Sequence, residues 1–270
     1  MSGMPDPDDL LADVTAGPYT DAVTGESHVL VQDAGERALK DPAVLEAVRA
    51  ALHREHPGAE STLLRTPPDV SLPAPWRRHL TYVRCEGELP PVPDGPAVTL
   101  ADRPAVTLAD RPADEELVRV WLTQAFVAAG VDVRRPVSEA AARAAADDLC
   151  ALPGRVSLMA RHGGRTVGHA TLLTECDDET TGEAVVELVD ILVDGAPDTG
   201  LATAELSRAA AVHAHALGRP LIGNVVHTAA SDPEEAGKDT WRIVTRLLEN
   251  GWSLDHAYWW APAPRPEARP

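Results

Sequence analysis

The sequence predicts an α/β fold: a mixed, mostly antiparallel twisted sheet with helices on both faces, plus a small α+β region at the N-terminus. Three observations carry that prediction. From residue 113 onward, segments with apolar residues at helical spacing alternate with short apolar runs, in the order ααβββαβαβ. The 270 residues are 44% hydrophobic, enough for a core of one or two domains and too much for a disordered chain. Aromatic residues make up only 4%, with a single Phe, so Leu, Val and Ala must fill the interior.

Residues 1–95 form the small N-terminal region. Residues 28–32 (HVLVQ) read as a strand. Asp41-Pro42 opens a helix to about residue 55, with Pro in its first turn and Val44, Leu45, Val48 and Leu52 on one side. Residues 61–65 and 79–84 read as further strands. After the Pro-rich stretch 89–96 comes an exact tandem repeat, PAVTLADR at 96–103 and again at 104–111. Two eight-residue copies are too short for a repeat architecture, so residues 96–112 read as a duplicated linker.

Residues 113–262 form the main domain, followed by a Pro-rich tail at 263–270. Asp114-Glu115-Glu116 opens a helix whose acidic first turn suits its dipole, with Leu117, Trp121, Leu122 and Phe126 as its apolar residues. Ser138 caps a second, Ala-rich helix that ends near Leu152-Pro153-Gly154. Residues 156–161 and 166–173 flank the His162-Gly163-Gly164-Arg165 turn as a hairpin. A polar, acidic connection at 175–183 leads to the apolar run 184–193, a buried central strand. A turn at 194–200 precedes a helix over 201–217, stopped by Gly218. Strand 220–226, a helix over 240–250 closed by Gly251, and strand 254–260 complete the chain.

Charge and cysteine usage exclude several classes. Forty-two acidic residues against 24 basic ones leave a formal charge of −18, which disfavours a surface that binds nucleic-acid phosphates. Cys85, Cys150 and Cys176 are isolated, with no CxxC pair, so neither a disulfide framework nor a cysteine metal site is expected. No run approaches the ~18 apolar residues of a membrane span. The acidic start of the chain carries no apolar signal segment. A cytoplasmic monomer or homodimer without a metal is the expectation.

Four pieces, in order, resemble the GNAT acyl-CoA N-acyltransferases over about residues 113–261. Val167-Gly168-His169-Ala170 resembles the family's V-G-x-A strand, and residues 187–193 its central strand, which ends in hydrophobic-x-Val. Gly200-Leu201-Ala202 resembles the second half of the cofactor motif R/Q-x-x-G-x-G/A, and Asn250-Gly251-Trp252 the closing G-F of the last helix. The resemblance implies acetyl-CoA as acyl donor and a primary amine of a small molecule or peptide as acceptor. Residues 42–55, 61–65 and 79–84 loosely echo the helix and strand at 240–260, which reads as a vestigial half of the same fold.

The chemistry is intelligible beside the name. A pyrophosphate is met by backbone N–H groups at a helix N-terminus, here Thr199, Gly200, Leu201, Ala202 and Thr203. The resemblance assigns Leu192 and Val193 to the pantetheine arm, and Asn224 is a further cofactor-binding candidate. Pro197 stands where the motif has Arg or Gln, and the carboxylate of Asp198 beside it would repel a pyrophosphate by on the order of 1 kcal/mol. An ammonium has no lone pair, so the acceptor must be deprotonated by a general base. Glu187 stands where many family members carry theirs, with Asp190 second. In a regular strand the two point to opposite faces unless a bulge intervenes. The alternative for Glu187 is an ordinary buried pair with a cation such as Arg161. The family's thiolate-protonating Tyr is replaced by Leu247, leaving His227, Ser231 and Tyr258 as substitutes. His169, mid-strand, could line the cleft, against the plainer reading of a satisfied core or edge residue. A catalytically degenerate binding or regulatory module is the other function class.

Overall fold

A computed structural model describes residues 10–87, 89, 105–108, 112–132, 134–162, 165–193, 199–227 and 233–264. The chain folds as α/β with mixed sheet structure and, among the described residues, six helices, in two compact units. One comprises the described residues up to Thr81 together with those from Asp255. The other runs from Tyr82 to Leu254.

In the first unit the strand order is β1 (Thr15–Thr20), β2 (Ser27–Asp33), β3 (Ser61–Thr66) and β10 (Ser253–Pro262). Strands β2 and β3 are parallel, and the other two pairings are antiparallel. Helices α1 (Gly35–Lys40) and α2 (Pro42–Glu55) supply its remaining layer. Asp41 caps α2 by accepting from Ala43 N at 2.9 Å, and Pro42 needs no N–H in that first turn. Leu45, Val48 and Leu52 then recur on one helix face and bury against Val29, Val31, Leu64, Trp76 and Trp259. The helix at 42–55 is the one the spacing predicts; β1 and α1 were not anticipated.

The second unit carries the sheet order β4 (Arg77–Cys85), β9 (Leu221–Val226), β8 (Ala184–Val193), β7 (Arg165–Asp177), β6 (Arg155–His162), β5 (Ala105–Leu108). Only β8 and β9 are parallel among its registered pairs. Strands β4 and β10 each pass from one unit to the other. Helix α5 (Thr199–Ala216) covers one face through Ala202, Leu206 and Ala210 on Leu158, Ala170, Leu172 and Val186, and Leu247 of α6 (Pro233–Glu249) packs there too. Helices α3 (Pro112–Asp132) and α4 (Glu139–Ala151) cover the other, with Val118, Trp121, Leu122 and Ala146 on Met159. Ser138 caps α4, its Oγ accepting from Ala141 N at 3.2 Å. Gly251, at φ +92°, closes α6 in a conformation that favours glycine, and Trp252 beside it enters the core.

Four residues of the segment read as a linker, Ala105–Leu108 in the second repeat copy, form β5 along the edge of β6. The first copy lies outside the described residues, as do Pro197, Asp198 and Ser231. Among the described residues no helix is long and apolar enough to cross a membrane.

The centre of this unit is β7, buried continuously from Val167 to Leu172. A Cβ on Gly168 would lie 2.7 Å from Leu192 O and 2.9 Å from Val193 Cγ2, so β7 and β8 approach there as only glycine allows. Gly168→Ala is expected to destabilise the fold by about 1–3 kcal/mol, read as a lower denaturant midpoint. An unchanged midpoint would show that the two strands are not held this close.

Candidate functional site

The register of β7 with β8 contains one extra residue on β8. Leu188 faces Leu172, yet Asp190, two residues on, faces Thr171, the next residue along β7. Val189 is therefore the bulged residue. Because Leu173 pairs with Glu187 and Thr171 with Asp190, the bulge brings the two carboxylates to the same face. Regular alternation would have separated them. That face is the one under α3 and α4, since Met159, His169 and Leu192 share a cross-strand row and Met159 packs with Trp121.

Two things distinguish Glu187. Arg161, the cation it might have paired with, is held by Asp114 at 2.6 Å on α3. Burial, with Glu179 as a smaller like-charge contribution, pushes the Glu187 carboxyl above the usual carboxylate range. A group shifted in that direction is better matched to accepting a proton near neutral pH than an exposed glutamate.

Asp190 stands in a polar row. Ser157 Oγ lies 3.0 Å from Thr171 Oγ1, and Thr171 Oγ1 lies 3.2 Å from His169 Nδ1. His169 is fully buried, its ring stacked on Trp121 with centroids 5.3 Å apart and planes at 16°. Its Nε2 is 3.4 Å from Asp190 Oδ2. Neither atom has a hydrogen-bond partner among the described residues, and both are closed to solvent. His169 is thus a core residue, as its mid-strand position predicts, but not a satisfied one. An unsatisfied buried polar group costs about 1–3 kcal/mol.

Beyond the bulge β8 parts from β9. Their parallel register runs Val186↔Leu221, Glu187↔Ile222, Leu188↔Gly223 and stops, although β8 continues to Val193 and β9 to Val226. From Val189 to Val193 the β9-facing edge of β8 is open among the described residues. It includes the half-buried Leu192 and Val193, and Asn224 is half-buried on β9. Next in sequence among the described residues is the start of α5, with Thr199, Gly200 and Thr203 exposed, Leu201 half-buried and Ala202 in the core. Thr203 Oγ1 returns to Thr199 O at 2.9 Å. A Cβ on Gly200 would meet nothing within 4 Å, so packing alone does not require glycine there.

The remaining candidates are scattered. His227, directly after β9, is buried with its ring edge on Trp241, centroids 5.6 Å apart. Tyr258 belongs to the first unit, where its hydroxyl donates to Gln32 Oε1 at 3.3 Å. Burial pushes the thiols of Cys85, Cys150 and Cys176 up, which keeps them protonated and poor nucleophiles.

No protein-family model matches the chain, and no curated protein matches it. Solved structures do. A functionally unknown conserved protein from Staphylococcus epidermidis ATCC 12228 is similar at 11% identity over 96% of this chain and 98% of that one, with a TM-score of 0.47. An acetyltransferase from the GNAT family from Colwellia psychrerythraea is similar at 10% identity over 93% and 81%, TM-score 0.48. A GCN5-related N-acetyltransferase from Sphaerobacter thermophilus is similar at 13% identity over 93% and 76%, also with a TM-score of 0.48. These are distant likenesses of fold and say nothing of what this chain binds.

The raised carboxyl of Glu187 has a consequence for stability. A glutamate whose folded value lies above its ordinary 4.5 favours the folded state while protonated, and that contribution is lost as pH rises through the folded value. Glu187→Gln is therefore expected to melt above the wild type at pH 7, the gap closing as the pH falls through the folded value and gone below about 4.5. A variant that melts below the wild type at pH 7 would show the carboxylate to be favourably paired instead.

Proposed function

We propose that the chain transfers an acetyl or other short acyl group from coenzyme A to a primary amine of a small molecule or peptide. The observation that carries this reading is the parting of β8 from β9 on the strand that holds Glu187 and Asp190. An open strand edge offers backbone donors and acceptors to the amides of a pantetheine arm. The start of α5 offers N–H groups to a pyrophosphate. The bulge sets both carboxylates on one face, where a cationic amine would be attracted and deprotonated.

In this reaction Glu187 takes a proton from the incoming ammonium, directly or through a water. The amine nitrogen then attacks the thioester carbonyl carbon and forms the C–N bond. The tetrahedral species collapses with cleavage of C–S, and the second amine proton passes to solvent, from which the departing thiolate is protonated. The leaving thiolate is a weak enough base to depart without a protein acid, so Leu247 in place of a tyrosine is compatible with turnover. A binding or regulatory module is the second reading, favoured by that same leucine.

Calorimetric titration with acetyl-CoA at low salt tests the donor site, with micromolar affinity expected. Gly200→Val should abolish that binding without moving the melting temperature, since the added side chain meets open space in the free protein. No heat at millimolar acetyl-CoA would contradict the reading, and binding without thiol release across an amine library would select the second. For a working enzyme, Glu187→Gln should lower kcat by roughly a hundredfold or more and move the pH–rate profile upward, because deprotonation of the amine falls to solvent. An unaltered profile would remove Glu187 as the base.

A further inference from the structure

The polar row beneath α3 has a direction. Arg155 is anchored by Glu115 Oε2, 2.7 Å from Nη2, and by Cys150 O, 3.1 Å from Nε. Its Nη1 donates to Ser157 Oγ at 2.7 Å, and a guanidinium has no acceptor, so Ser157 must accept there. At the other end, Asp190 Oδ2 faces His169 Nε2, and an ionised carboxylate can only accept. With a neutral imidazole, one polarity gives every link both a donor and an acceptor. Arg155 donates to Ser157, Ser157 to Thr171, Thr171 to His169 Nδ1, and the imidazole carries its proton on Nε2, toward Asp190. The reverse polarity would put a nitrogen lone pair against a carboxylate oxygen where neither atom reaches solvent. Asp114 of α3 pairs with Arg161 at 2.6 Å, and Trp121 fixes the imidazole plane by stacking.

We propose that His169 is a positioning residue: the one-way chain from Arg155 through Ser157 and Thr171 fixes its proton on Nε2 and turns that proton toward Asp190 Oδ2, leaving the rest of the Asp190 carboxylate to face the amine acceptor beside Glu187. The side chain of Asp190 is 23% exposed while its Oδ2 is sealed, so the exposed part is elsewhere on that group. The 3.4 Å separation is long for a hydrogen bond, and links of this kind tighten when an acceptor occupies the site. The role toward an acceptor rests on the acyl-transfer reading, whereas the polarity of the chain does not.

Two measurements on the full-length protein separate these parts. Nitrogen NMR of the labelled protein, with His169→Gln used to identify the signal, should show His169 neutral with its proton on Nε2. A proton on Nδ1, or on both nitrogens at neutral pH, overturns the proposal. In a thiol-release assay, His169→Phe keeps the stack on Trp121 but removes the donor, and should lower kcat about tenfold or more with KM for acetyl-CoA unchanged. His169→Gln restores an N–H at similar reach and should recover most of the rate. Added to Asp190→Asn, His169→Phe should cost less than about twofold more. Losses that multiply would show that His169 does not act through Asp190. If His169→Phe fails to fold, His169→Gln and the NMR signal carry the test. A wild type without turnover would overturn the acyl-transfer reading and the acceptor role together, while the NMR result still decides the polarity.

Discussion

One extra residue in β8 organises the candidate site. Val189 interrupts the pairing with β7, and a bulge of this kind reverses the alternation of side chains and bends the strand. The reversed alternation is visible around it. Glu187 and Asp190, which regular alternation would have parted, come to the same face, and the pairing of β8 with β9 ends one residue before the bulge. On the opposite side Gly168 lets β7 pass closely by Leu192 and Val193, so β8 stays paired on one edge while its pairing with β9 has ended on the other.

The two faces of β6–β8 then differ in chemistry. Under α5 the rows are apolar throughout: Val156, Leu172 and Leu188, then Leu158, Ala170 and Ile191. Under α3 and α4 they run Arg155, Leu173 and Glu187, then Ser157, Thr171 and Asp190, then Met159, His169 and Leu192. A buried polar row is tolerated only where its members satisfy one another. Here the row is satisfied from Arg155 to His169 Nδ1 and left open at the last link, where Asp190 stands at the boundary with solvent. That open link, and the desolvated Glu187 on the same strand, are where the fold retains polar groups that packing alone does not use.

Much of this was legible in the sequence wherever local chemistry marks an element. Asp41-Pro42, Ser138 and Gly251 delimit helices because caps and positive φ act within a few residues. The apolar run at 184–193 is a strand, as expected, but only Val185 and Val186 are buried and the rest is half-buried. The bulge was not legible, since nothing in AVVELVDILV distinguishes Val189 until β7 supplies the opposing register. Strand β5 was missed for a similar reason. Its four residues sit in a Pro-flanked repeat and become a strand only along the edge of β6. Tyr258, a candidate by its place on the last strand, lies on the part of β10 from Asp255 that belongs to the first unit, where its hydroxyl meets Gln32. The sequence leaves His169 between lining the cleft and being a satisfied core or edge residue. Its unsatisfied nitrogen emerges only once Asp190 is rotated toward it.

The claim on which the rest hangs is that the open edge of β8 and the start of α5 together receive an acyl-CoA. Backbone amide exchange, followed with and without saturating coenzyme A, reads those groups directly. Protection confined to residues 189–193 and 199–203, with the amides of the first unit unchanged, is the predicted result. Protection elsewhere with both of these segments unaffected would contradict it, and the parting of β8 from β9 would then be a feature of the fold that coenzyme A does not use.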